Sequence, residues 1–328
     1  MTNNLNSNSL VDPARGTVRD YLSIARLDHS TKHIFIAAGI LLALVLRGVH
    51  VESLALSIGL GLAAAICAAS ANYVINEWLD RDTDRFHPTK SERSAVRKDL
   101  RKEFVLLEWT SFVAVGLLCA LAASIPMFLV TCLFVLQGIV YNVPPLRTKD
   151  VPYVDVISES INNPIRLAIG WFMVDPTTLP PSSILLLFWF GGAFLMAAKR
   201  LSEFKEIVAS HGKPLLSQYR KSFAGYTETS LTISCFVYAL CSSFMLAVFL
   251  IKYRIEYLLT FPAVIALFSY YLALSMQPAS AAQNPEHLHR DRGLVFLVVL
   301  LGMIFVFATF VDLPIVESFA GQQFMKLQ

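Results

Sequence analysis

The chain has 328 residues, of which 55% are hydrophobic and only 16% charged, with a mean hydropathy of +0.56 and a net charge of +3. This composition excludes a soluble globular domain, because the apolar residues come in runs long enough to cross a bilayer. No nucleic-acid partner is expected, and the five cysteines (Cys67, Cys119, Cys132, Cys235, Cys241) all fall inside apolar runs without metal-ligand spacing.

Residues 1–22 are polar, lack the charged-then-apolar pattern of a leader, and read as a disordered cytoplasmic tail. Residues 23–328 read as a single all-α integral membrane domain. Nine spans are expected, at 33–51, 54–79, 104–122, 126–141, 153–173, 183–199, 227–251, 256–276 and 294–313. With the N-terminus inside, 22 of the 27 Lys and Arg residues fall on the inner side, four on the outer side, and Arg166 within a span. That asymmetry puts the N-terminus and the long polar loops, 80–103 and 200–225, on the cytoplasmic side of the membrane, which is expected to be a bacterial inner membrane. The outer loops are short, so the chemistry is expected at the inner face.

The second span ends in Asn76-Glu77-Trp-Leu-Asp80-Arg-Asp82-Thr-Asp84, four carboxylates in eight residues. Asn76, Asp80 and Asp84 are spaced four apart, so a helix sets them on one face with Glu77 beside them. Carboxylates this close repel unless a cation joins them, and an oxygen-only set suits Mg²⁺ shared with a phosphorylated substrate. Asn76, Glu77, Asp80 and Asp84 are therefore the expected metal ligands. Arg85, His87, Lys90 and Arg93 follow directly, with hydrogen-bond donors suited to phosphate oxygens. Lys32, just before the first span, joins this substrate-binding set, and Arg26 stands nearby.

A second constellation runs from Lys149 through Asp155 and Glu159 to Asn162 and Arg166. On one helix the last four form a polar stripe about three turns long, which inside a membrane must face a cavity or a partner. Pro164 is expected to kink that helix by freeing the Ser160 carbonyl. The third constellation is Lys199-Arg200-Leu-Ser-Glu203 at the inner end of the sixth span. Tyr219, Arg220, Lys221 and Tyr226 beyond it could help close the loop over substrate.

Taken together, these residues resemble the UbiA superfamily of intramembrane prenyltransferases, whose first motif is Asn-Asp-x-x-Asp-x-x-x-Asp. Here it reads Asn76-Glu77-Trp-Leu-Asp80-Arg-Asp-Thr-Asp84, with Glu77 in place of the first Asp. Within that superfamily the pattern is most similar to the decaprenyl-phosphate phosphoribosyltransferase branch. The residues that carry this likeness are Asp84-Arg85-Phe-His87-Pro88-Thr-Lys90-Ser-Glu-Arg93, then Lys149, Pro152, Asp155, Arg166 and Gly170, then Lys199, Arg200 and Glu203. Ordinary prenyl-diphosphate enzymes carry a second Asp-rich motif where Lys199-Arg200 stands here.

The resemblance implies nine helices around a central cavity, Mg²⁺ on the first acidic motif, phosphoribosyl diphosphate as donor and a polyprenyl phosphate as acceptor. In that reading Asn76, Asp80, Asp84, Lys149 and Asp155 carry catalysis. Arg85, His87, Lys90, Arg93, Arg166, Lys199, Arg200, Glu203 and Lys32 bind substrate. Two alternatives stay open. One is a prenyltransferase moving a polyprenyl chain from its diphosphate to an aromatic or other small acceptor. The other is a transporter or lipid-binding membrane protein using Arg166 and Glu159 as a translocation site.

Overall fold

The computed structural model describes residues 15–27, 33–87, 90–277, 288 and 290–315. Among them the chain is helical, the one β-type contact being an isolated bridge between Arg15 and Asp99. A helix begins inside the stretch expected to be a disordered tail: α1 (Val18–Ile24), whose Thr17 backbone N–H donates to Asp20 across 2.8 Å. Its inner end packs Ile24 and Ala25 against Val74, Ala95, Leu100 and Val105. That apolar contact holds down a segment whose polar lead-in hides it.

There follow α2 (Ile34–Leu46), α3 (Leu54–Asp84), α4 (Ser94–Arg97), α5 (Lys102–Ala123) and α6 (Ile125–Asn142). The middle of the chain forms α7 (Val154–Ser160), α8 (Asn162–Phe172), α9 (Ser182–His211) and α10 (Lys213–Tyr219). The last three helices are α11 (Glu228–Tyr253), α12 (Phe261–Ser275) and α13 (Arg292–Phe310).

Seven helices among the described residues are long and apolar enough to cross a membrane, against nine expected spans. Of the remaining two, the first is the shorter apolar helix α2. The fifth is interrupted at Ile161 and divided into α7 and α8. The break falls one turn before the kink expected from Pro164. Proline thereby sits in the first turn of α8, where its missing N–H has no intrahelical acceptor to lose.

α3 has 31 residues and α9 has 30, which at ~1.5 Å per residue makes each longer than the apolar layer of ~30 Å. Their C-terminal turns therefore project beyond it at one end of the bundle and carry the charged side chains with them. The bundle interior depends on close backbone approach. A Cβ on Gly39 would stand 2.0 Å from the Leu167 carbonyl oxygen, and one on Gly170 would stand 2.0 Å from that of Ile36, so α2 and α8 cross glycine against glycine. α13 buries only Leu294 and Ala308, as suits a helix whose other faces meet lipid.

Candidate functional site

Asn76, Asp80 and Asp84 follow one another by a turn along the last part of α3, as the spacing predicts. Asp80 is held from the loop that leaves α6. Arg147 Nη2 lies 2.9 Å and Lys149 Nζ 2.5 Å from its Oδ1. Lys149 also donates to Asn142 Oδ1 at 3.0 Å, and Asn76 donates to the same oxygen. Burial pushes the Lys149 ammonium down to about 8, against the pull of Asp80. Two non-glycine residues of this loop take positive φ, Arg147 at 29° and Tyr153 at 65°. Such sparsely populated backbone persists only where its surroundings over-determine it. Here Arg147 is tied to Asp80, Asp150 and the Asn142 carbonyl, while the Tyr153 N–H donates to Tyr226.

The other two carboxylates go to separate cations. Asp84 pairs with Arg93, and Glu77 is 4% exposed and takes Arg26. Among the described residues no three His, Cys, Asp or Glu side chains converge as a metal site. What α3 offers is Asp80 and Asp84 one turn apart on a cavity wall, with the Asn76 amide a turn deeper. That all-oxygen set fits a hard cation that shares phosphate ligands. Glu77, turned toward α1, stands outside it.

The inner end of α9 supplies a chain of charges. His87 Nε2 lies 3.3 Å from Glu203 Oε1 and Lys90 Nζ 4.0 Å from the same atom. Glu203 Oε2 accepts from Arg200 Nη1 at 3.2 Å, and Arg200 Nε reaches Asp155 Oδ2 at 3.3 Å. Burial lowers the pKa of both His87 and Lys90, with Glu203 opposing it in each case. Asp155 is fully buried and also receives Ser222 Oγ at 3.0 Å, Tyr226 OH, and Arg220 Nη2 at 3.3 Å. It is the hub joining α7, α9 and the 221–225 turn, and the cavity wall does not include it.

That wall encloses about 340 Å³, and Asp80, Asp84 and Asp150 face Lys90, Arg147, Lys149, Arg220 and Lys221 across it. Five cations against three carboxylates make the cavity attractive to a polyanion. Other predicted residues stand elsewhere. Arg85 turns away and pairs with Asp82 at 3.1 Å in an exposed position. Arg166, expected in one stripe with Asp155, is separated from it by the Ile161 break. It is buried, its guanidinium lies 4.9 Å from the Phe134 ring centroid, and its Nε lacks a partner. Lys199 is half-buried on α9 and not part of the cavity wall. Lys32 lies outside the described residues.

Sequence reasoning missed Arg147 and Asn142, and saw Arg220 only as a weak signal. A polar Asn as the last residue of an apolar helix, followed by Arg-Thr-Lys after a proline pair, is the signal that could have found the first two.

Residues 34–286 match the sequence model of the UbiA prenyltransferase family. The chain is 26% identical over 239 residues to the decaprenyl-phosphate phosphoribosyltransferase of Mycolicibacterium smegmatis, covering 71% of this chain and 70% of that protein. Its fold is similar to that of a UbiA homologue from Archaeoglobus fulgidus bound to DMAPP and Mg²⁺. That likeness has a TM-score of 0.67 and 19% identity, over 89% of this chain and all (100%) of the other. The same homologue bound to GPP and Mg²⁺ matches with a TM-score of 0.66 and 20% identity, over 91% and 99% of the two chains.

Proposed function

The chain belongs to the UbiA prenyltransferase family and is a membrane transferase, and from that premise we propose that it moves a 5-phosphoribosyl group from phosphoribosyl diphosphate onto a polyprenyl phosphate. The observation that carries this reading is the charge of the cavity. Two carboxylates of α3 stand opposite five cations drawn from the 85–101 segment and the loops at 143–153 and 220–225. A donor with three phosphate groups and an acceptor with one need that excess of cations. A neutral aromatic acceptor does not. The M. smegmatis relative acts on decaprenyl phosphate, as its name says, which supports the same assignment.

In the reaction, the bond from ribose C1′ to the diphosphate oxygen breaks and diphosphate leaves with the electron pair. An oxygen of the polyprenyl phosphate then bonds to C1′. The nucleophile is already anionic, so no general base is required. Asp80 and Asp84, with Asn76, would hold Mg²⁺, which supplies charge neutralisation to the departing diphosphate. Lys149 and Arg147 hold Asp80 in place and present cations to the donor. Lys90, Arg93 and Arg220 bind donor phosphates. Arg200 and Glu203 fix His87 and Lys90, and Asp155 positions Arg200 and Arg220. The basic loops support a cytoplasmic position for this end of the bundle.

Prenyl transfer from a prenyl diphosphate to a small acceptor is the second reading, favoured by the diphosphates DMAPP and GPP bound with Mg²⁺ in the solved relative. One experiment separates the two. Purified protein with Mg²⁺, labelled phosphoribosyl diphosphate and a polyprenyl phosphate should yield a lipid-linked sugar phosphate. Consumption of prenyl diphosphate without phosphoribosyl diphosphate overturns the first reading.

A further inference from the structure

A second depression opens at the same end of the bundle, on the opposite face of α3. Its volume is about 550 Å³, and Trp78, Ala95 and Leu100 line it below a rim where five cations face two carboxylates. Two of those charges, Arg85 and Asp82, neutralise each other. Among the described residues Arg81 and Lys102 have no carboxylate partner, and Lys98 feels the Asp20 carboxylate without forming an ion pair with it. Arg81 lies over the Trp78 indole, 4.7 Å from its ring centroid. The Nε1–H of that indole is buried and makes no hydrogen bond, a donor left unmet at a cost.

The surroundings say what ligand the depression suits. α5 starts at Lys102 on the rim and is one of the membrane-crossing helices. In its first two turns it turns Phe104 and Leu107 outward, 48% and 62% exposed. Cations and an apolar helix face leading into the bilayer thus lie side by side. A free phosphate has no use for the apolar face, and an acidic protein surface has none for a site at the edge of the lipid layer.

We propose that this depression is a binding site for an anionic phospholipid, whose phosphate sits between Arg81, Lys98 and Lys102 and whose acyl chains run along α5. The site is separate from the proposed reaction cavity and independent of which donor that cavity takes. The depression also borders the junction of α1 with α5. There Gly16 N donates to Asp99 O at 3.1 Å and Arg101 N to Tyr21 OH at 2.9 Å, so a bound lipid braces that junction.

The test titrates the delipidated full chain in neutral detergent with phosphatidylglycerol, phosphatidylcholine or inorganic phosphate. Lipid retention is followed by native mass spectrometry and stability by thermal unfolding. Phosphatidylglycerol is expected to be retained and to raise the midpoint, with the other two ineffective. Each cation removed in Arg81→Gln, Lys98→Gln and Lys102→Gln should weaken retention about fivefold. Equal effects of phosphatidylcholine overturn the proposal, as does a shift reproduced by inorganic phosphate, which would make this a free-anion site. Undiminished phosphatidylglycerol retention in the triple variant also overturns it. If the triple variant does not fold, Lys102→Gln alone decides, because Lys102 is exposed at the start of α5 and its loss should still weaken retention.

Discussion

Two nitrogens of Arg26 converge on one oxygen of Glu77, each at 2.9 Å, joining the end of α1 to the helix that carries the acidic motif. Glu77 stands at the first acidic position of the Asn-x-x-x-Asp-x-x-x-Asp run, yet its carboxylate pairs with Arg26 and is not on the cavity wall. Glu77→Gln should therefore cost about 2 kcal/mol of stability, the loss of a charged hydrogen bond, while leaving the Mg²⁺ concentration for half-maximal turnover unchanged. Arg26→Gln should match it, and the double variant should be no less stable than either alone. A rise in the Mg²⁺ requirement of Glu77→Gln would return Glu77 to the ligand set.

Asp80→Asn and Asp84→Asn each remove an oxygen charge from the cavity wall. Turnover is expected to fall by about a thousandfold in each, with the fold retained at a cost of about 2 kcal/mol for the charged hydrogen bonds lost to Lys149 and Arg147 or to Arg93. Chelation of divalent ions should abolish turnover and added Mg²⁺ restore it. Transport that survives both variants points to the transport reading, and loss of all turnover with folding retained counts against it.

Asp155 is enclosed by Arg200, Arg220, Ser222 and Tyr226. Asp155→Ala leaves the buried Arg200 and the half-buried Arg220 short of an anion, and its expected cost is about 3–5 kcal/mol. Asp155→Asn keeps the shape and should unfold at a higher temperature than the alanine variant, with a raised KM for the phosphorylated donor. An unchanged KM would mean that the Asp155 hub does not align the cavity cations.

The crossing of α2 and α8 offers a test of the fold. Gly39→Ala or Gly170→Ala forces a methyl group against a carbonyl oxygen, and each should destabilise the protein by about 1–3 kcal/mol. Because both act at one crossing, the double variant should lose less than the sum.

Asp175, in the loop after α8, gives a pH signature. Burial disfavours its charge, but hydrogen bonds from Thr177 and Thr178 and the Arg47 guanidinium hold its carboxyl well below the usual range. A depressed folded pKa means that this stabilisation is present above the unfolded value of about 4 and fades as pH falls below it. The difference in unfolding midpoint between the parent and Asp175→Asn should be constant from neutral pH down to about 5. It should then shrink on further acidification. A gap that does not change with pH would assign the effect to packing.

Apolar run length placed the helices because in a bilayer each span must satisfy its own backbone hydrogen bonds, so composition and length nearly suffice. The same logic placed Asn76, Asp80 and Asp84 on one face of α3, where the helical period alone decides. It failed at Ile161. There the chain divides an apparently continuous stripe and sends Asp155 to Arg200 and Arg166 to Phe134. It also failed at α1, whose few apolar residues matter only through partners distant in sequence.

By itself, then, the amino-acid sequence determined a helical membrane protein with its charged chemistry gathered at one end, because hydrophobic length and helical period are local properties. Which cation meets which carboxylate was decided only in the tertiary structure. Arg147 and Lys149 reach Asp80 across 67 and 69 residues, and Arg26 reaches Glu77 across 51. Their choice depends on how α1, α3 and the loop after α6 pack, since a charge pairs with whatever opposite charge the fold brings within reach, and in these three pairs that partner is far away in the chain.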